Sequence, residues 1–317
     1  MASNPLSKLV NPHYPAVALG LESGSASMVH LERRRQSYAL KRAAMIALSE
    51  TLVRPDFDER NIADQNELAD ALAELATSAG LAKQSKWSVA LPEAATRAAI
   101  LTLESAGASR AESEEILRWK TERAFGLPLE ELRVARERMA PDTQGRPRYL
   151  AVGIRQSVLA EYEDVFAALG WRAGLILPRH VGEERWLMQQ GAGGDALLIS
   201  SHAEGFTAVL LRDGQPVIVR SILCDAEDRD DELFRLLLFY RDRISMADDA
   251  PSYRTLERLF VIGDHADKER ISEIVNETLG ISLHALRAED FGLSLPSGQL
   301  DFDAIAAPAG LATLAWT

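Results

Sequence analysis

The chain has 317 residues, of which 47% are hydrophobic and 26% charged, and its formal net charge is −12. A single core stops growing at roughly 250–300 residues, so this length favours two domains. The composition excludes a disordered, collagenous or disulfide-scaffold protein. The acidic excess opposes attraction to phosphate backbones and anionic lipid, so we expect neither nucleic-acid binding nor direct insertion into a membrane.

The sequence carries no signal for membrane crossing or secretion. Gly, Ser or a charged residue interrupts every apolar run before the roughly 18 residues that a spanning helix needs, and the first residues lack a basic patch before an apolar segment. The one cysteine, Cys224, excludes an intrachain disulfide and fits a reducing compartment. The six histidines lack the spacing that brings two imidazoles onto one metal ion. We therefore expect a cytoplasmic protein without a metal site.

The first part of the chain predicts a meander of strands followed by a helix and another strand. Apolar alternation indicates the strands, and a one-sided apolar pattern at helical spacing indicates the helix. In chain order these are a strand at 15–21, a turn at Ser23-Gly24-Ser25, strands at 27–32 and 37–43, a helix at 66–79 ended by Gly80, and a strand at 87–92.

Residues 93–148 differ from their flanks, because they contain a highly charged helix at 109–125 and a polar, Pro- and Gly-containing stretch at 141–147. That stretch is typical of a hairpin tip or of the exit from an inserted subdomain. A strand is possible at 98–103. A strand at 149–154, a helix at 158–169 and a strand at 173–177 then follow in βαβ order.

The second half repeats this order of elements after a glycine cluster at 191–194, where we place a domain boundary. An Asp-Gly pair between two apolar runs predicts a hairpin. In chain order the elements are a strand at 196–199, the hairpin of 206–211 and 215–221, a helix at 230–246, a strand at 258–263, a helix at 267–279 ended by Gly280, and a strand at 281–286.

The strand, the Ser23-Gly24-Ser25 turn and the following strand could direct backbone N–H groups at a phosphate. A tight hairpin without any ligand explains the same residues. Neither the Walker lysine pattern nor Gly-x-Gly-x-x-Gly occurs, so the common phosphate loops are absent. A Gly-x-Ser-x-Gly elbow is also missing, so acyl transfer has no support.

Five segments together resemble the PilM family of type IV pilus assembly proteins, through their order and spacing. They are Leu19-Gly20-Leu21-Glu22-Ser23-Gly24-Ser25, Val89-Ala90-Leu91-Pro92, the helix at 114–122 with 127–131 behind it, Leu236-Leu237-Leu238-Phe239-Tyr240, and Ala309-Gly310-Leu311-Ala312. The resemblance runs from about Ala16 to the C-terminus.

This resemblance implies an α/β, actin-like (ribonuclease H-like) fold of two lobes with an inserted α+β subdomain, as also seen in the division protein FtsA. The implied parts are an N-terminal tail at 1–15, a first lobe at 16–187 with its insertion at about 93–148, and a second lobe at 188–317. It further implies a cytoplasmic scaffold at the inner face of the inner membrane. In the family, a groove of the first lobe and its insertion captures the N-terminal tail of the bitopic protein PilN, and the complex connects to the pilus motor ATPases.

Departures from the family pattern weaken its nucleotide site. In the first phosphate loop Glu22 takes the place of Asp and Val29 that of Lys, whereas Gly24 and Ser25 match. Ser200 and His202 replace Asp and Gly in the second loop, Glu204 adds negative charge, and Gly263 is followed by Asp264 and His265 in the adenosine loop. The resemblance therefore implies Glu22, Gly24, Ser25 and Gly263 as remnants of a cofactor site, with ATP and magnesium disfavoured and no catalytic or metal-binding residue.

Two classes of function remain from the sequence. The first is a PilM-like scaffold. A variant of that class is the actin-like cytoplasmic domain of the type II secretion protein GspL, but that protein carries a membrane helix and we expect none in this chain. The second is an ATPase or small-molecule kinase of the actin and sugar-kinase superfamily, which would need Glu22 near magnesium. In the scaffold, the helix at 109–129 offers Ile116, Trp119 and Phe125 to a partner, although the same spacing would let Ile116 and Trp119 cover the subdomain's own sheet.

Overall fold

The computed structural model describes residues 14–35, 37–104, 109–189, 193–244, 255–263, 265–295 and 300–316. The first half contains β1 (Val17–Leu21), β2 (Ser25–Arg34), β3 (Ser37–Ala47), α1 (Gln65–Ser78), β4 (Lys86–Leu91), β5 (Arg97–Thr102), α2 (Arg110–Phe125), β6 (Leu132–Met139), β7 (Arg148–Arg155), α3 (Gln156–Ala168), β8 (Arg172–Pro178) and α4 (Arg179–Gln189). The second half contains β9 (Asp195–His202), β10 (Gly205–Arg212), β11 (Gln215–Leu223), α5 (Arg229–Phe239), β12 (Leu256–Ile262), α6 (Lys268–Leu279), β13 (Leu293–Ser294) and α7 (Phe302–Ala312).

Two sheets share one topology. The larger has the strand order β13-β3-β2-β1-β4-β8, and the second has the order β11-β10-β9-β12. In each, three strands form an antiparallel meander and the next strand pairs parallel to the first of them. We call the six-stranded sheet with α1 and α3 the first lobe, and the four-stranded sheet with α5 and α6 the second lobe. The α/β fold of two similarly wound sheets agrees with the repeated order of elements in the sequence.

The first lobe forms because its central strand β1 is apolar on both faces and its helix α1 is apolar on one. All five residues of β1 are buried, and α1 turns Leu68, Leu72 and Leu75 towards the sheet. Asp64 caps α1 by accepting hydrogen bonds from the N–H groups of its first turn, which would otherwise lack partners. Apolar side chains from α1, α3 and one face of the sheet form a continuous core.

A third sheet, of order β5-β7-β6, is separate from the other two. We call β5, α2, β6 and β7 the small-sheet unit. The helix α2 packs on one face of this sheet through Leu117 and Phe125. Phe125 is therefore buried within the unit and is not available to a partner, Ile116 is partly buried there, and Trp119 is 55% exposed.

Helices α4 and α7 lie between the two lobes. Their apolar side chains share a core with residues of both larger sheets, including Val29 of β2 and Phe260 of β12. The two helices approach closely at Gly182 and Gly310, because a Cβ added at Gly310 would lie 1.8 Å from the Gly182 carbonyl oxygen. Only glycine permits this backbone contact, so the segment that connects the lobes is tightly packed.

Two sequence predictions need correction, and three others concern residues outside the described part of the chain. The strand at 281–286 is reduced to one bridge between Leu259 and Ala285, and the helix from 230 ends as an α-helix at Phe239, where a π-helical turn, Tyr240–Ile244, begins. The tail residues 1–13, the boundary residues 191–192 and Asp264 lie outside the described residues. No helix among those described is both long and apolar enough to span a bilayer.

Candidate functional site

The turn between β1 and β2 is a tight hairpin that carries Glu22. The backbone N–H of Glu22 donates to the Ser25 carbonyl oxygen at 2.9 Å and closes the turn. The carboxylate of Glu22 lies 2.8 Å from the Arg179 guanidinium at the start of α4. A Cβ added at Gly24 would meet no atom within 4 Å, so that side of the turn is open.

Arg179 is the centre of a buried charge cluster, and it is only 5% exposed. Besides Glu22 it contacts Glu183, to which its Nε and Nη2 donate at 2.9 and 2.7 Å. Burial raises the pKa of Glu22 above its ordinary value and Arg179 opposes part of that rise, while the two carboxylates raise the pKa of Arg179 against the effect of burial. The guanidinium that could bind a phosphate is thus already neutralised by the protein's own carboxylates.

Gly263 ends β12 in a conformation that requires glycine. Its φ is +110°, and a Cβ there would lie 2.1 Å from the Ser201 carbonyl oxygen. Arg229 holds the neighbouring loops together, since it donates to Ser201 Oγ at 2.7 Å, to the His202 carbonyl at 2.6 Å and to the His265 carbonyl at 3.0 Å. The absence of a side chain at Gly263 therefore lets the end of β12 pack closely against β9 at Ser201.

The other residues that the resemblance aligns with the family's nucleotide loops are buried or paired within the protein. Val29, which stands where the family has Lys, is fully buried in the core between the lobes. Ser200 is fully buried, and its Oγ has no hydrogen-bond partner among the described residues. The His202 ring contacts the Glu204 carboxylate at 3.1 Å. None of these side chains lines the cavity that contains Glu22.

The structure brings Glu22, Ser25 and Gly263 together around one cavity between the lobes, which we call the cleft. Gly24 does not line it. The cleft has a volume of about 20 Å³, space for roughly one water molecule. It is small because α7 enters it, with Pro308 placed 3.0 Å from a Cβ built at Gly20. The residues as arranged do not fit ATP with magnesium.

A second buried polar cluster lies beside the cleft and centres on Glu93 and His180. Glu93 follows β4 and is 2% exposed, and His180 in α4 is fully buried. The His180 Nδ1 lies 2.8 and 2.9 Å from the two Glu93 oxygens, and Ser221 Oγ of β11 donates to Glu93 at 3.1 Å. Burial opposes both charges, yet the attraction between them lowers the pKa of Glu93 to about 2 and raises that of His180. The contact between the two groups therefore favours the ionic form of this pair.

Sequence reasoning missed Arg179, Glu183, Glu93 and His180. The first two and His180 belong to the run Arg179-His180-Val181-Gly182-Glu183-Glu184-Arg185, which is typical of a solvated helix face. Yet α4 is buried between the lobes, so its charged residues pair with one another and with Glu22 and Glu93. A Gly within so polar a helix was the one available signal of close packing.

A larger cavity lies elsewhere, between β8 of the first lobe and β6 of the small-sheet unit. We call it the groove, and its volume is about 560 Å³. Both strands are at the edge of their sheets, so each has a row of backbone groups on one side without a sheet neighbour. The lining combines apolar and polar side chains, among them Leu91, Arg133, Ala135, Val152, Glu163 and Leu177.

Comparison with protein families and with characterised sequences gives no match at the sequence level. Among solved structures, the PilM-PilN type IV pilus biogenesis complex superposes with a TM-score of 0.76 and 18% identity, over 96% of this chain and 100% of the other. A Bacteroides thetaiotaomicron protein with an actin-like ATPase fold gives a TM-score of 0.49 at 11% identity over 96% and 98% of the two chains. The cytoplasmic domain of EpsL from the type II secretion system of Vibrio cholerae gives 0.43 at 13% identity over 84% and 96%.

The likeness to PilM extends over nearly the whole chain and concerns the fold. It confirms the two-lobed, actin-like α/β architecture that the resemblance implied, and it confirms that the chain resembles PilM in structure as well as in its short motifs. At 18% identity it does not transfer residues or ligands, so the chemistry has to come from the cleft and the groove of this chain.

Proposed function

We propose that this chain is a PilM-like cytoplasmic scaffold that captures an extended segment of a PilN-like membrane protein in the groove. The observation that supports this proposal is the pair of edge strands, β6 and β8, on either side of a cavity of about 560 Å³. An extended segment can add to a sheet edge through backbone hydrogen bonds, while alternate side chains enter pockets of the groove. PilM forms a complex with PilN in the structure of similar fold.

Such a partner would bring the chain to a membrane. A net charge of −12 opposes independent attachment to anionic lipid, whereas a bitopic protein with a cytoplasmic N-terminal tail supplies a tether. In this proposal the chain lies at the inner face of the inner membrane and connects that platform to the motor ATPases of a pilus or a related secretion system.

The same proposal assigns no enzymatic role to the cleft. Glu22 is the one acidic residue at a motif position for magnesium, and Arg179 holds its carboxylate at 2.8 Å. With about 20 Å³ of free volume, the cleft leaves no place for a nucleotide and a second substrate. We therefore propose a remnant site in which Glu22, Ser25 and Gly263 have structural roles.

The test uses a synthetic peptide with the sequence of the N-terminal tail of the PilN-like protein from the same organism. We expect calorimetry to show binding to the full chain, with or without ATP. Ala135→Trp fills the groove from an exposed position of β6 and should weaken binding at least tenfold. The matched control Ala111→Trp places the same side chain on exposed α2 and should change the affinity less than twofold. Absence of binding at high micromolar peptide would remove the proposal.

A further inference from the structure

Two segments of the groove wall continue directly into the buried cluster beside the cleft. Leu91 and Thr96 line the groove, and Glu93 lies between them. On the other side Pro178, the last groove residue of β8, directly precedes α4 with Arg179 and His180. Residues that line the groove are therefore within a few positions, along the chain, of the buried charged residues Glu93 and Arg179.

Glu93 connects these segments physically. Its carbonyl oxygen accepts hydrogen bonds from the Thr96 N–H at 3.0 Å and from Thr96 Oγ1 at 3.1 Å, which fixes the turn at the groove. Its carboxylate holds His180 of α4 and Ser221 of β11. Ser221 belongs to the edge strand of the second lobe and is also bonded to Thr207 of β10 at 2.8 Å.

The second lobe does not itself line the groove in the described part of the chain. Two polar links lead from β11 towards it, the Ser221 contact to Glu93 and, at the other end of the strand, a hydrogen bond from Arg148 of β7 to the Pro216 carbonyl at 2.8 Å. Apolar packing adds to them, because Leu177 of the groove packs against the core that the two lobes share. Ser221 is the link that involves a buried charge, so its geometry has the least freedom to adjust.

We infer that Glu93 and His180 are positioning residues that couple the groove to the second lobe, so that a segment bound between β6 and β8 alters β11 and the reverse. This inference rests on the proposed function for its ligand and extends it to regulation. Packed interiors move between discrete arrangements rather than deforming continuously. A buried ion pair shared by three elements favours one arrangement of all three.

The first experiment needs no ligand. Glu93→Gln removes the charge that holds His180 while keeping the size of the side chain. Asp195→Asn is the matched control, because Asp195 is also a fully buried carboxylate, paired with Arg212 at 2.9 Å in the second lobe. Hydrogen exchange of the full chains should be at least fivefold faster at 173–178 and 219–223 in Glu93→Gln, and unchanged there in Asp195→Asn. Unchanged exchange at 219–223 in Glu93→Gln would overturn the inference.

The second experiment adds the PilN-like tail peptide. We expect the peptide to slow exchange at 219–223 in the natural chain, although those residues lie outside the groove, and Ser221→Ala to abolish that slowing with less than a threefold loss of affinity. Ser221→Ala also decides the matter where Glu93→Gln fails to fold, because it leaves the ion pair intact. Slowing at 219–223 that persists in Ser221→Ala would overturn the coupling through Glu93. A natural chain that binds no peptide would count against the proposed function, and the ligand-free exchange would still decide the coupling.

Discussion

The cleft and the groove are two concave regions of one molecule. Polar groups in the cleft have partners within the chain, whereas backbone groups along the groove lack a sheet neighbour. In the cleft, Arg179 meets Glu22 and Glu183, and α7 fills the space that is left. In the groove, the edge strands β6 and β8 line a cavity of about 560 Å³. The cleft is closed by groups of the chain itself, whereas the strand edges in the groove keep backbone donors and acceptors without a sheet neighbour.

This difference distinguishes the fold, which the chain shares with proteins of similar structure, from the side chains that are particular to this chain. In this chain side chains fill the space between the lobes, and Glu22 pairs with Arg179 there. In the proposed function ligand recognition belongs to the groove, because its strand edges have backbone groups without a sheet neighbour. Four predictions test the comparison, in order of decreasing effect.

Arg179→Met should cause the largest loss, because it leaves the fully buried Glu183 without its partner. Removing one member of a buried pair costs about 3–5 kcal/mol, to be measured by urea unfolding. The control Arg270→Met removes an exposed pair with Asp230 and should change the free energy of unfolding far less, because exposed ion pairs contribute little. The double change Arg179→Met with Glu183→Leu should recover at least half of the loss. A loss below about 1 kcal/mol for Arg179→Met would show that the cleft is not held by this arginine.

Gly182→Ala should be the next most damaging change. The added Cβ would lie 2.1 Å from the Ala307 carbonyl oxygen, so α4 and α7 would have to separate at a cost of about 2–3 kcal/mol. Thermal unfolding measures the loss. Gly24→Ala is the control, since a Cβ there meets nothing within 4 Å, and it should stay within about 0.5 kcal/mol. Equal stability of the two variants would contradict the close helix contact.

Glu184→Gln should stabilise the protein. Burial raises the pKa of Glu184 to about 7, with His180 opposing that rise, and its Oε2 is buried without a hydrogen-bond partner. The pKa of Glu184 is higher in the folded state than in the unfolded state. The free energy of unfolding of the natural protein therefore falls as the pH rises from about 4.5 to 7.

The variant should therefore gain about 1–2 kcal/mol at pH 8 and much less at pH 4.5. Urea unfolding at both pH values checks this. Glu93→Gln serves as the opposite case, because the attraction of His180 keeps the pKa of Glu93 at about 2, so that change should destabilise at pH 8. A gain for Glu184→Gln that is equal at both pH values would rule out ionisation as its cause.

Magnesium and ATP at 1 mM should have the smallest effect. With dissociation no tighter than about millimolar, the ligand can stabilise the chain by at most about 0.4 kcal/mol. A thermal shift assay with magnesium alone as the control measures this. Stabilisation above about 1.4 kcal/mol would mean dissociation below roughly 0.1 mM, and the cleft would then have to open to admit the nucleotide.

The sequence predicted most elements of the fold, because their hydrophobic periodicity is strong. The hairpin at Asp213-Gly214 is an example, since both residues adopt positive φ of 51° and 74°, as a two-residue hairpin turn requires. It did not predict β6. The strand Leu132–Met139 exposes four charged side chains and pairs on one side only, so it lacks the apolar alternation of a strand in the core.

The candidate site was predictable in part. The motif residues Glu22, Ser25 and Gly263 do lie around one cavity, as the resemblance implied, although whether they ever hold a cofactor stays a prediction. The groups that close the cavity were not predictable, because Arg179 and Glu183 come from a helix that resembles a solvated one in sequence. Their burial depends on contacts with both lobes, and such contacts between residues distant in sequence leave no local pattern.

The open edges of β6 and β8 also affect how the purified protein behaves in solution. Along β6, Arg133, Arg136, Glu137 and Arg138 interrupt the apolar side chains and discourage pairing with another molecule of the same chain. Strand β8 has no charged residue between Arg172 and its end at Pro178, so protection from aggregation there depends on the facing wall of the groove. Purified alone at high concentration, the protein should self-associate through β8, and producing it together with the tail peptide should increase the soluble yield.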